Sequence, residues 1–168
     1  MQKPFKKFVV TIGLMLFIPA SQAQDRYIFK RGDAAVVDAS TGLAWRRCPV
    51  GQFIVKKYPS QDICEGDRKE FTRHDAVDFA SKQKGWRIPT LVELSTLYEE
   101  NKKYEWSHIN SEVFPRGGAG YGSAWSSTVN EMRRDQFGMF DFDARTLAQG
   151  FARERFPENL GLLMLVRQ

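Results

Sequence analysis

Side chains suited to acid–base or nucleophilic chemistry are few in this sequence and lie far apart. The histidines are His74 and His108, and the cysteines are Cys48 and Cys64. A general base needs a partner within hydrogen-bonding reach and a third group that orients it. No Ser-His-Asp or free Cys-His set can be assembled from these positions. We therefore expect capping or surface histidines and no catalytic residues.

A hard metal ion would need several oxygen ligands close together. Asp141 and Asp143 lie two positions apart and could be joined by Glu112 or Glu131. Calcium takes about six to eight oxygens, commonly from several carboxylates of one short loop. Two aspartates in a hairpin more often form hydrogen bonds to their own backbone and shape the turn. The sequence thus predicts no metal and no cofactor.

Basic residues recur in pairs, which could recognise sulfated or carboxylated polysaccharide. Arginine matches such groups with two parallel hydrogen bonds. The alternative is an ordinary solvated surface, because acidic residues are interspersed throughout. The pairs are Arg46 with Arg47, Lys56 with Lys57, Arg133 with Arg134, and Arg153 with Arg155, the last sharing a sheet face if that segment is a strand.

Aromatic residues between positions 102 and 122 are the second candidate for ligand recognition. This stretch ends in a glycine-rich segment and has no regular hydrophobic period. Loops on a rigid scaffold often carry recognition, and exposed aromatic rings there could stack on a ligand. The predicted ligand-binding residues are Tyr104, Trp106, Arg116, Tyr121, Arg133 and Arg134.

The first 23 residues have the pattern of a secretory signal. Three lysines precede an apolar run from Phe8 to Ile18, and Ser21-Gln22-Ala23 offers small residues to signal peptidase. The run is shorter than the roughly 20 apolar residues that a membrane span needs. We expect cleavage rather than an uncleaved anchor, export to the periplasm or the exterior, and a single domain over residues 24–168 without a stable membrane span.

Loss of this segment changes the net charge of the protein. The remaining chain has 22 Lys and Arg against 20 Asp and Glu, a net charge of +2 instead of the +5 of the full chain. A nucleic-acid-binding domain normally carries a basic face and a high isoelectric point. We therefore expect no nucleic-acid partner.

Both cysteines lie after the signal. An even number of cysteines in an oxidising compartment predicts a disulfide. The alternative, a redox pair or a thiolate metal site, would call for a Cys-x-x-Cys motif or a histidine cluster, and neither is present. We predict that Cys48 and Cys64 form one disulfide that closes a loop.

Two helices are predicted from capping residues and hydrophobic periodicity. Thr72 opens a helix that extends to about Lys84, where Gly85 ends it. Thr90 and Glu93 have capping-box spacing at the start of a helix from Leu91 to about Glu100. Strands are predicted at 27–30, 35–37, 43–45, 123–128, 137–142, 147–152 and 160–166, the last as a central strand, with a loop between the cysteines.

Five short motifs occur in an order that resembles one domain family. They are residues 37–45, 85–94, Phe114-Pro115, residues 124–128 and Val166-Arg167. Together they resemble the domain named after the C-terminal region of the Legionella collagen-like protein, over about residues 35–168. The motif residues expected to be structural are Trp45, Trp86, Arg87, Pro89, Glu93 and Trp125.

This resemblance implies an α+β, C-type-lectin-like fold related to the formylglycine-generating enzymes. In such folds two helices pack on a small, twisted antiparallel sheet, here with one disulfide. The sugar-and-calcium motifs of C-type lectins are absent. The cysteines Cys48 and Cys64 come early, whereas those of the enzymes come late. The resemblance therefore carries no catalytic set.

Taken together, the residues and the resemblance predict an exported binding module of the bacterial cell envelope. Its ligand would be a glycan or an envelope protein, as for an adhesin. One alternative is a periplasmic accessory or assembly protein, which a large exposed apolar patch would favour. The other is an enzyme with a newly recruited site, which a pocket with a strongly perturbed titratable group would favour.

Overall fold

The computed structural model describes residues 26–57, 61–99, 107–115, 121–143 and 152–168. The predicted signal and most of the predicted strand 147–152 lie outside these ranges. Within them no helix is long and apolar enough to cross a membrane. The elements are β1 (Tyr27–Ile28), β2 (Ala35–Asp38), β3 (Leu43–Arg46), β4 (Phe53–Lys57), β5 (Gln61–Glu65), β6 (Glu70–Phe71), α1 (Arg73–Ser81), α2 (Leu91–Ser95), β7 (Ser123–Val129), β8 (Phe137–Asp141), β9 (Ala152–Arg155), β10 (Gly161–Leu162) and β11 (Val166–Arg167).

An antiparallel sheet of four strands is built on the predicted hairpin, in the order β1-β2-β3-β11. The turn between β2 and β3 ends at Gly42, whose φ of 72° suits glycine. Val36 and Trp45 form a cross-strand pair and are both buried, and Val166 pairs with Trp45 from the other side. Side chains alternate along a strand, so the second face of this sheet points away from that core.

The segment between the cysteines is not the loop that was predicted. It folds into a two-stranded antiparallel sheet of β4 and β5, with Ile54 opposite Cys64. Its strands are mostly exposed or half-buried. A hairpin with little burial has weak hydrophobic alternation, which is why the turn residues around it dominated the prediction.

A mixed sheet of five strands forms the second half, in the order β6-β10-β7-β8-β9. β7 and β8 form an antiparallel pair with a register shift between Trp125 and Val129, and β10 runs parallel to β7. The indole N–H of the buried Trp125 donates to the backbone oxygen of Phe71 (2.7 Å). That bond ties the centre of the sheet to the strand that leads into α1.

Two helices occur in the described chain, and both begin where the sequence predicts. Thr72 accepts the amide hydrogen of Asp75, and Thr90 forms a complete capping box with Glu93. Both helices end earlier than predicted. In α2 the Thr96 hydroxyl donates to the carbonyl of Glu93 (2.7 Å). This local side-chain bond competes with continuation of the helix.

The helices contribute to cores on opposite faces of the five-stranded sheet. Ala76 and Ala80 of α1 belong to the cluster that contains Trp125 and Met139. Leu94 of α2 belongs to the cluster that contains Ala124 and Phe140, which are the sequence neighbours of Trp125 and Met139 on β7 and β8. Successive strand residues point to opposite faces, so the sheet separates the two clusters.

The apolar run 160–166 is not one central strand. Its start, β10, belongs to the five-stranded sheet, and its end continues into β11 of the four-stranded sheet. Leu163, Met164 and Leu165 between them are fully buried. The prediction of burial is right for residues 161–166, whereas Leu160 is exposed, and the run is buried because it crosses between two sheets.

Arg47 is the most extensively bonded buried cation in the described chain. Its side chain is fully buried, and its guanidinium donates to Asp62 Oδ2 (2.8 Å) and to the backbone oxygens of Val113 (2.6 Å), Asp33 (3.1 Å) and Glu112 (3.1 Å). Burial raises the pKa of Asp62, but hydrogen bonds from the Gly32 amide and from Arg47 outweigh it. The pKa of this carboxyl is therefore held below its ordinary value of 3.8.

Cys48 and Cys64 form the predicted disulfide, with a Cα–Cα distance of 5.7 Å and a sequence separation of 16. It joins the end of β3 to β5 directly beside Arg47 and Asp62. The covalent link and the buried ion pair therefore connect the same two segments.

We expect the double variant Cys48→Ser/Cys64→Ser to lose about 3 kcal/mol of unfolding free energy. The loop closed by the bond has close to 15 residues, for which chain entropy gives about that value. Urea unfolding of the variant and of the oxidised wild type measures the difference. A difference near zero would contradict the expectation that the disulfide stabilises the fold by restricting the unfolded chain.

We expect Asp62→Asn to lower stability at neutral pH by about 3–5 kcal/mol, because it leaves the buried Arg47 charge without its partner. A depressed folded-state pKa contributes stability above the unfolded pKa, and that stability is lost as pH falls through the folded pKa. The wild type should therefore lose stability below about pH 4 with a steeper slope than the variant.

Unfolding free energy measured between pH 2.5 and 7 tests this, with Asp67→Asn as the matched control on an exposed carboxylate of the same region. Equal acid slopes in wild type and Asp62→Asn would contradict the assignment.

Candidate functional site

The motif residues expected to be structural hold the core and one helix start. Trp45 and Trp125 are fully buried. The carbonyl of the buried Pro89 accepts the amide hydrogen of Ser127 (2.7 Å). Trp86 is half-buried at the edge of the four-stranded sheet. These positions explain the motifs by packing.

Arg87 binds Glu93 with both ends of its guanidinium, at 2.8 and 2.6 Å. The same carboxylate accepts the backbone N–H of Thr90 (2.7 Å), so it closes the capping box and the ion pair together. The Arg87 guanidinium is the main cause that holds the pKa of Glu93 below its ordinary value of 4.5, against the effect of burial. Arg87 therefore pairs with a carboxylate of its own motif.

Tyr121 is not a surface residue available to a ligand, and this part of the prediction is wrong. It is 3% exposed, and its hydroxyl donates to the backbone oxygen of Arg47 (2.7 Å). The glycines before Tyr121 suggest an exposed loop. The ring is nevertheless in the core, because its hydroxyl finds a hydrogen-bond acceptor there. Tyr104, Trp106 and Arg116 lie outside the described residues.

Arg133 and Arg134 lie on an exposed turn between β7 and β8. Asn130 shapes this turn, because its side-chain oxygen accepts the amide hydrogens of Met132 (2.9 Å) and Arg133 (3.1 Å). The amide hydrogen of Gln136 is donated back to the Arg133 carbonyl (2.9 Å). Within the described ranges neither arginine forms an ion pair.

A shallow groove of about 590 Å³ opens beside this turn. Arg134 and Asn130 give it a polar side, Glu131 adds one carboxylate, and Phe137 gives it an apolar wall. We call this surface the Phe137 groove; its lining residues are Val129, Asn130, Glu131, Arg134 and Phe137.

Arg73 lies against the ring of Phe137, with its guanidinium carbon 4.7 Å from the ring centre. It is 9% exposed, and its Nε and Nη1 have no hydrogen-bond partner. Burial lowers its pKa, with no carboxylate in the described chain opposing that effect. Sequence reasoning did not single out this residue, because an arginine in the first turn of a helix is ordinarily solvated.

The other basic pairs differ in their surroundings. Arg46 and Arg47 are separated, since Arg47 is buried and Arg46 is half-exposed beside Trp86. Lys57 pairs with Glu65 at 3.2 Å on the exposed β4–β5 hairpin. Arg155 lies opposite Phe137 in the sheet register.

The histidines and aspartates offer no metal centre within the described parts of the chain, which contain no group of three or more potential metal ligands. His74 is exposed, whereas His108 is buried and stacks near Tyr98, with 4.9 Å between ring centres. Asp141 accepts the backbone N–H of Asp143 (2.9 Å), which is the turn-forming role expected for this pair.

The chain belongs to the Lcl C-terminal domain family, whose model matches residues 34–167. No curated protein and no solved structure matches the sequence. The family assignment confirms the resemblance found in the motifs, and it identifies a domain without assigning it a ligand.

We expect Arg87→Ala to lower the unfolding free energy by about 0.5–1 kcal/mol, because the pair with Glu93 is partly exposed. Thermal or urea unfolding measures this. The conservative variant Arg87→Lys should recover part of the loss but not the two-pronged geometry. A variant with unchanged stability that no longer binds a ligand would show instead that Arg87 belongs to a binding site.

Proposed function

We propose that this protein is an exported binding module of the bacterial cell envelope that recognises an anionic group on a glycan through the Phe137 groove. The proposal includes a C-type-lectin-like arrangement of the α+β fold, in which ligands are bound by surface residues on a rigid sheet. Support comes from the family assignment, the signal-like N-terminus and the basic turn at Arg133 and Arg134.

The observation that carries this proposal is the charge behind the groove. An enclosed donor without a partner costs about 1–3 kcal/mol, and Arg73 has two such nitrogens. Its positive charge acts through the apolar Phe137 ring, where water screens it less than at an open surface. Arg134 adds a second, exposed positive charge at the same groove. The negative charge of Glu131 cancels one of these two positive charges.

An anionic sugar is better matched to this groove than a neutral one. The guanidinium of Arg134 is suited to sulfate or carboxylate, and Phe137 offers an apolar surface for the ring of a sugar. Calcium plays no part in this proposal.

We expect Arg133→Gln/Arg134→Gln to reduce affinity for a heparin hexasaccharide at least tenfold, with the unfolding free energy changed by less than about 0.5 kcal/mol. Wild-type affinity should fall steeply with salt, since exposed charges are screened over about 10 Å at 0.1 M. Titration calorimetry at several salt concentrations measures both effects.

The matched control is Lys56→Gln/Lys57→Gln, which removes the same charge from an exposed hairpin elsewhere. It should leave the affinity within about twofold of wild type. Phe137→Leu should weaken binding without changing the salt slope, and EDTA should have no effect. Equal losses in both double variants would reduce the interaction to net charge and overturn the assignment to this groove. Loss of binding on chelation would overturn the calcium-free mode.

A further inference from the structure

The outer face of the four-stranded sheet carries a row of residues that extends across all its strands. Ile28 pairs with Val37, Val37 with Ala44, and Ala44 with Arg167. Paired residues point to the same face, and this face is opposite to the one that carries the buried Trp45. Ile28 is 52% exposed and Val37 is 41% exposed.

The row ends at two arginines that share one aromatic ring. The guanidinium carbons of Arg46 and Arg167 lie 5.2 and 4.7 Å from the ring centre of Trp86. Arg46 is two residues from Ala44 on β3, so it occupies the same sheet face as Arg167. We call this surface the Trp86 face; it consists of Ile28, Val37, Ala44, Arg46, Trp86 and Arg167.

The charges of this face are not balanced by the described residues. Neither Arg46 nor Arg167 forms an ion pair there. Arg46 donates a hydrogen bond to the neutral Gln83 side chain (3.3 Å), and burial lowers the pKa of Arg46. The arginines at the margins differ, since Arg26 binds Asp38 and Arg87 binds Glu93.

Two like charges held against one ring repel each other, and the Trp86 ring compensates only part of this through cation–π attraction. An anion bound beside the Trp86 ring would be attracted by both positive charges. This is the arrangement that an external carboxylate can complete.

We propose that the Trp86 face docks an acidic segment of a partner protein, with carboxylates bound by Arg46 and Arg167 and aliphatic side chains packed on Ile28 and Val37. A polypeptide provides both kinds of group, whereas a glycan lacks the aliphatic side chains that the apolar half would bury. Tryptophan and arginine are also the residues that dominate binding energy at protein interfaces. The face has no lysine, which is depleted in such interfaces.

The test uses the purified protein and a synthetic peptide of alternating glutamate and leucine. Titration calorimetry should detect binding by wild type, and Arg46→Gln/Arg167→Gln should weaken it at least tenfold. Ile28→Ser/Val37→Ser should weaken it severalfold without changing its salt dependence. Far-UV circular dichroism and thermal unfolding verify that both variants fold. If the arginine variant does not, Arg167→Gln alone, at an exposed position, replaces it; if the apolar variant does not, Ile28→Ser alone, at the more exposed of the two positions, replaces it.

Matched controls separate this inference from the Phe137 groove. Arg133→Gln/Arg134→Gln removes the same charge on the other sheet and should change peptide affinity by less than twofold. A Gln/Leu peptide should lose most of the affinity, and a Glu/Ser peptide should lose the part that Ile28 and Val37 supply.

Two results would overturn the proposal. One is equal peptide binding by wild type and Arg46→Gln/Arg167→Gln, or no binding by wild type. The other is a heparin hexasaccharide that binds through Arg46 and Arg167 while the Glu/Leu peptide does not, which would make this face a glycan site. Failure of heparin binding at Arg133 and Arg134 would refute the proposed function and leave this inference standing.

Discussion

The guanidinium of Arg47 holds together segments that share no sheet. It reaches Asp62 on β5, the backbone of Asp33 before β2, and the backbone of the loop at 112–113, while its own carbonyl accepts the Tyr121 hydroxyl. A charge removed from water is costly unless every donor is satisfied. The surrounding carbonyls and carboxylate meet that demand only when all these segments are in place. This one side chain therefore makes the docking of the β4–β5 hairpin and the loop interdependent.

The structure follows the sequence most closely where the signal is local. The capping box of Thr90 and Glu93, the hairpin that ends at Gly42, and the disulfide all depend on residue types at fixed short spacing. Capping and turn interactions operate within a few residues, so they can be predicted from the sequence without knowledge of the fold. The hairpin inside the cysteine loop was missed because its strands bury little and so lack a clear alternation.

The errors arose where distant partners decide the outcome. Arg46 and Arg47 are neighbours in sequence and looked like one basic pair, yet one faces outward and the other is enclosed. Tyr121 follows a run of glycines typical of an exposed loop, but its hydroxyl finds an acceptor 74 positions away, at Arg47. Nothing in a local window specifies such an acceptor. For the run 160–166, burial is predicted correctly from residue 161 onward, but the prediction of one central strand is wrong, because the run passes between two sheets.

Six of the described arginines fall into two groups that differ in how their charge is balanced. Arg26, Arg47 and Arg87 are bound to carboxylates or to several carbonyls and stabilise the fold. Arg46, Arg73 and Arg167 have only aromatic rings or neutral groups as side-chain partners among the described residues; Arg46 and Arg167 lie on the Trp86 face, whereas Arg73 is buried against Phe137.

A guanidinium already bound to carboxylates or carbonyls gains little binding free energy from an added anion, because its hydrogen-bonding capacity is already used. A guanidinium that has only an aromatic ring beside it gains most, since the ring lowers the local dielectric constant without neutralising the cation. The first group therefore maintains the domain. We propose that the second group acts in recognition, at the Trp86 face and behind the Phe137 groove, away from the Arg47 centre.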